Sequence, residues 1–133
     1  MSMERETFSS GSDFERAYGY SRAVRVGETI HVAGTVGMRH ADRHMPPDAA
    51  GQTRQALANI ADALAALGSG LGDLVQITTY VDSAESFAAV GPVLAEVLGE
   101  VRPTNAALVV GFPFPGIRVE ISAVAIRGSG TAR

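Results

Sequence analysis

The sequence contains no cysteine, which excludes a disulfide framework, a thiolate nucleophile and any cysteine-ligated zinc site. It also lacks any apolar run approaching the roughly 18 residues that a membrane span needs. The opening segment, Met1 to Glu6, is charged and has no apolar stretch of the secretory type. A cytoplasmic protein with no membrane partner is therefore expected. A basic excess is missing too: 11 basic residues stand against 14 acidic ones and the pI is near 5.5. Such a chain repels a phosphate backbone on average, so nucleic acid is not expected as a partner. No linker, low-complexity tract or internal repeat divides the chain.

What is present suits one domain over residues 1–133, with 46% hydrophobic and 19% charged residues. A chain of this length buries roughly two-thirds of its unfolded surface and folds without staples. The organised part is expected from about residue 18 to about residue 127. The polar residues before it and the tail Gly128 to Arg133 are expected to be loose.

Two short β-type runs come first, Ser21 to Val26 and Glu28 to Gly34, with Gly27 at the tip of a hairpin. After a polar loop, Asp48 opens a helical pattern in which Leu57, Ile60, Ala61, Leu64 and Leu67 recur at three- and four-residue spacing, with Gly68 as the stop. Leu74 to Val81 is rich in β-branched residues and reads as a central strand, with Val75, Ile77, Thr79 and Val81 on one face. A second helix is capped by Asp82 or Ser83, and Phe87, Val90, Leu94 and Val97 or Leu98 form its apolar stripe. Pro92 predicts a break near Ala89 to Gly91, leaving a regular helix only from about Gly91 to Leu98. Strands over Thr104 to Val110 and Arg118 to Arg127 close the order ββ-α-β-α-ββ, an α/β (α+β) fold with a mixed sheet and both helices on one face. The other face would carry Leu108 or Val109, Val124 and Ile126, which self-association would cover.

Several segments together resemble the RidA (YjgF, L-PSP endoribonuclease) family. They are Tyr20 to Gly27, Gly34, Gln52 to Ile60, Asp73 to Val75, Thr79 to Val81, Phe87 to Val90, Arg102-Pro103, and Val119 to Ile121 with Ala123 and Ala125. The resemblance implies a chorismate-mutase-like subunit with a six-stranded mixed sheet, assembled as a homotrimer with small-molecule pockets between subunits. It implies no cofactor, and hydrolysis of imines or enamines. It also places Tyr20 as the pocket tyrosine, Gly34 on the second strand, Phe87 as an aromatic wall and Glu120 as the acid/base group. Where the family has its carboxylate-binding arginine, after Arg102-Pro103-Thr104, this chain has Asn105, which carries no charge and no guanidinium fork. Arg22 stands where many relatives carry glutamine and is the candidate replacement. Thr35 also departs from the usual residue after the glycine, as does the segment Phe112-Pro113-Phe114-Pro115.

Each assignment has a plainer alternative. Glu120 could be a solvated strand carboxylate, Arg22 a surface or inter-subunit salt-bridge residue, and Asn105 a strand-start residue bonding its own backbone. Tyr20 and Phe87 could be packing residues. His40 and His44 flank Asp42 in a loop that lacks the rigidity and outer shell a metal site needs, so no metal is expected. His31 reads as structural, and Gly68, Gly70 and Gly72 as turn residues without a phosphate-loop lysine. The expected function is hydrolysis or deamination of a small imine, enamine or related metabolite. A non-catalytic small-molecule-binding trimer and an endoribonuclease are the alternatives.

Overall fold

The computed structural model describes residues 4–130. A single sheet runs in the order β1-β2-β3-β6-β4-β5. Its strands are β1 (Arg5–Phe8), β2 (Ala23–Val26), β3 (Thr29–Val36), β4 (Leu74–Val81), β5 (Thr104–Val109) and β6 (Val119–Ile126). Only β4 and β5 pair in parallel, and the other neighbours are antiparallel. Two helices, α2 (Ala49–Ala66) and α3 (Ala84–Leu98), cover one face, and a short helix α1 (Asp13–Tyr18) precedes β2. The six-stranded mixed sheet with two covering helices is the expected architecture.

The ends of these elements follow from local chemistry. Asp48 caps α2 by accepting from the Gly51 amide at 2.9 Å, and Gly68 leaves it at φ +81°. The core between α2 and the sheet contains Ile30, Leu57, Ile60, Leu64 and Ile121, all 2% exposed or less. Burying side chains of this size contributes about 1.5–3 kcal/mol each.

Five expectations need correction. Residues 5–8 and 13–18, expected to be loose, form β1 and α1. The short helix is capped by the Ser12 hydroxyl at 3.1 Å and held from inside by the buried Glu15. Pro92 does not break α3, which is continuous from Ala84 to Leu98. Pro92 and Ala88 both lie on its exposed side, where water can satisfy the carbonyl that a proline leaves unbonded, while Val90, Val93 and Leu98 hold the other side in the core. Phe87 is 51% exposed and stands outside that buried stripe. In β4 the register shifts between Leu74 and Gln76, so Leu74 faces the core and Val75 does not. The beginning of the C-terminal tail is tied rather than frayed, because the Gly128 and Gly130 amides donate to Asp73 at 3.1 and 2.9 Å. Residues 131–133 lie outside the described residues.

Cross-strand register places Glu120, Tyr80 and Leu108 in one row on the face away from α2 and α3. On that face Leu108 and Ile126 are 46% and 41% exposed.

Candidate active site

A bulge in β3 prepares the site. Val32 pairs with Ala123 and Thr35 with Ile121, so Ala33 and Gly34 together stand opposite Ser122. The extra residue bends the strand and re-aims the backbone toward the chain that enters β2. Glycine leaves room there, since a Cβ at this position would collide with the Glu120 carboxylate unless that side chain moved.

Arg22 occupies the space beside the bulge and is 8% exposed. Its Nε donates to Glu15 Oε2 at 3.1 Å, and its Nη1 donates to the Gly34 carbonyl at 2.7 Å and to Thr35 Oγ1 at 3.2 Å. Nη2 donates to the Tyr20 hydroxyl oxygen at 3.3 Å, and the guanidinium carbon sits 5.6 Å from the centre of the Tyr20 ring. Arg22 is therefore a buried residue, not a surface one, and its salt bridge to Glu15 lies within one chain. Because Tyr20 accepts from Arg22, its own O–H is left to donate elsewhere. Thr35 is 3% exposed, donates to the Ala33 carbonyl at 2.7 Å, and supports Arg22 from behind.

Glu120 is half-buried next to this cluster. Burial pushes its carboxyl above the ordinary 4.5, an effect that the Arg22 charge only partly offsets. Glu15 shows the opposite balance. Burial also pushes it up, but hydrogen bonds from the Ser10 hydroxyl and amide, from Arg22 and from Ser9 outweigh burial and hold it below its ordinary value. One carboxyl thus retains its proton more readily than usual and the other stays ionised. Opposed environments of this kind separate an acid/base group from a structural charge.

The chain brings Tyr20, Arg22, Gly34, Thr35 and Glu120 together but keeps Phe87 and Asn105 apart from them. Asn105 is in register with Ile77 and so lies on the helix side of the sheet, where its Oδ1 accepts from Thr79 Oγ1 at 3.0 Å. It borders a shallow cavity of about 300 Å³ with Ile77, Leu94, Leu98, Arg102 and Pro103, at the last turns of α3. Phe87 stands near the first turn of the same helix. Asn105 therefore bonds a neighbouring strand rather than its own backbone.

Two buried polar residues near the site were not singled out from the sequence. Gln52 is fully buried: its Nε2 donates to the Pro46 and Gly116 carbonyls, both at 2.8 Å, and its Oε1 accepts from the Arg118 amide at 2.9 Å. It ties the Phe-Pro-Phe-Pro loop to α2 just before Glu120. Its spacing of four and eight residues from Ala56 and Ile60 was the available signal. Glu15 gave no such signal, lying in a polar stretch too short to show a period. The loop histidines form no cluster. Asp42 is engaged by Arg39 and by the His44 amide, and among the described residues no group of three His, Cys, Asp or Glu side chains is placed to hold a metal ion. Among the same residues no helix is long and apolar enough to cross a membrane.

Residues 11–127 match the family described as Endoribonuclease L-PSP. A crystal structure of a YjgF/YER057c/UK114 family member from Mycobacterium tuberculosis is 42% identical, with a TM-score of 0.84 over 92% of this chain and 99% of that one. The 2-iminobutanoate/2-iminopropanoate deaminase of Bos taurus is 34% identical over 82% of this chain and 80% of its own length. A RutC family protein from Pyrococcus horikoshii is 32% identical over 81% of this chain and 86% of its own.

Proposed function

Since the chain belongs to the endoribonuclease L-PSP family, we propose that it hydrolyses a small imine, enamine or related metabolite, with Glu120 as the acid/base group. The observation that carries this reading is the half-buried Glu120 carboxyl, raised above 4.5 and set against Gly34 and the Arg22–Tyr20 pair. A carboxyl that keeps its proton to higher pH than usual can protonate an imine nitrogen, and the carboxylate so formed can take a proton from the attacking water. The carbinolamine then collapses: the C–N bond breaks, ammonia leaves, a C=O bond forms and the carboxyl regains its starting state. The Tyr20 hydroxyl, oriented by Arg22, is the donor available to hold the substrate. The match to 2-iminobutanoate/2-iminopropanoate deaminases supports this reaction class.

The working unit in this proposal is a homotrimer of about 41 kDa, three times 13.8 kDa. Two features support it: the exposed Leu108 and Ile126 on the uncovered face, and the separation of Phe87 and Asn105 from Glu120 within one chain. In an assembly those two residues complete a neighbour's pocket. The excess of acidic residues disfavours the endoribonuclease alternative. The test is a coupled assay of ammonia release from freshly generated imines, with Glu120→Gln as control. Ligand binding without ammonia release in the wild type would favour the non-catalytic alternative.

A further inference from the structure

Glu15 takes no part in the proton handling proposed above, yet it is 3% exposed. Carboxylates are buried this deeply only when paired and hydrogen-bonded. Its oxygens accept from Ser9 Oγ and the Ser10 amide, both at 3.0 Å, from Ser10 Oγ, and from Arg22 Nε at 3.1 Å. The guanidinium is planar, so fixing Nε fixes where the other two nitrogens point. Those nitrogens hold the Gly34 carbonyl and the Tyr20 hydroxyl, and the α-carbon of Gly34 in turn abuts the Glu120 carboxylate. A line of contacts thus runs from α1 through Arg22 to the proposed acid/base residue.

We propose that Glu15 is a positioning residue: it anchors Arg22 as a fixed, charge-balanced clamp on Tyr20 and Gly34, not as a mobile cation open to a ligand's acid group. The proposal rests on Glu120 being the working carboxyl, and it narrows the ligand class. A site whose cation is already neutralised by its own carboxylate favours imines without an obligatory negative charge over anionic 2-imino acids.

The charges around Glu120 make the clamp testable. Arg22 faces it from the segment before β2 and Gly34 presents backbone from β3. Tyr80 is its register partner on β4, and Arg118, just before β6, is paired with Asp82 at 3.3 Å. Carboxyl ¹³C NMR across a pH series reads the Glu120 midpoint directly, without turnover. Glu15→Gln leaves Arg22 uncompensated, so the midpoint falls by roughly one unit. Arg22→Gln leaves Glu15 uncompensated, so the midpoint rises. The double variant holds neither charge, folds without an unpaired buried ion, and brings the midpoint back up from its Glu15→Gln value to wild type or above, since the lowering charge of Arg22 is gone. If Arg22→Gln does not fold, Glu15→Gln and the double variant still give the fall and its reversal. Loosening alone would admit water and lower the midpoint in every variant; that result, or no shift in Glu15→Gln, overturns the proposal. A protein that releases no ammonia yet shows the opposed shifts keeps the clamp and loses only the hydrolase reading.

Discussion

The Glu120 carboxylate occupies the space that a side chain on Gly34 would need. The atom in the way is the end of a flexible side chain, so Gly34→Ala moves Glu120 without tearing the sheet. The expected loss of stability is about 1–2 kcal/mol, at the low end of overpacking. The expected functional effect is larger, because a displaced carboxyl loses both its alignment and its burial. Thermal melts beside ammonia-release assays should show a folded protein of much reduced turnover; unchanged turnover would separate Glu120 from the chemistry.

The raised Glu120 carboxyl also makes a statement about stability. A carboxyl whose folded value lies above its unfolded value of about 4.5 binds more protons in the native state between those two values. Stability attributable to it therefore falls as pH rises through that window and stays lower above it. Glu120→Gln should flatten this part of the stability curve, and at neutral pH it should be no less stable than wild type. Chemical denaturation at a series of pH values from 4 upward checks both points.

Most of the sheet and α2 were legible because each shows its own period, whereas α3 was read with a break that Pro92 does not make. Leu57, Ile60 and Leu64 mark α2, and Leu74 to Val81 was placed to the residue. Illegible parts were those in which a polar group is buried. Glu15, Arg22, Gln52 and Thr35 are all under 9% exposed, and each is held by hydrogen bonds that no helical or strand period shows. Composition assigns such residues to the surface, and no local pattern announces the partner. The grouping of Tyr20, Arg22, Gly34 and Glu120 came from resemblance to a family. The clamp by Glu15 came from neither pattern nor resemblance.

The uncovered face makes a separate prediction about assembly. Leu108 is 46% exposed and in register with Tyr80, itself in register with Glu120. Leu108→Glu puts a charge into the face that a trimer would bury, without touching the core beneath α2. Light scattering should change from about 41 kDa toward 13.8 kDa while the far-ultraviolet spectrum holds. A wild-type protein that is already monomeric at micromolar concentration would overturn the trimer.

Gln52 carries a stability prediction with a functional consequence. Replacing it by leucine preserves most of the volume but strands the Pro46 and Gly116 carbonyls and the Arg118 amide. The expected cost is about 2–4 kcal/mol, from loss of a buried network. Since Arg118 stands two residues before Glu120, protection of the Arg118 amide in hydrogen exchange should fall along with the melting temperature.

Asn105 decides whether the pocket is shared between subunits. It lies on the helix side of the sheet while Glu120 lies on the other, so no single chain joins them. Asn105→Arg should raise kcat/KM for 2-iminopropanoate about tenfold to a hundredfold, the range of a charge-assisted fork. Mixed assemblies locate the effect. A chain carrying both Asn105→Arg and Glu120→Gln has no working acid of its own, yet beside wild-type chains it supplies the guanidinium to a neighbour's Glu120. If pockets lie between subunits, mixing this inactive chain with wild type raises the rate per wild-type chain. If each pocket is built from one chain, mixing only dilutes the wild type, and the rate per wild-type chain does not change.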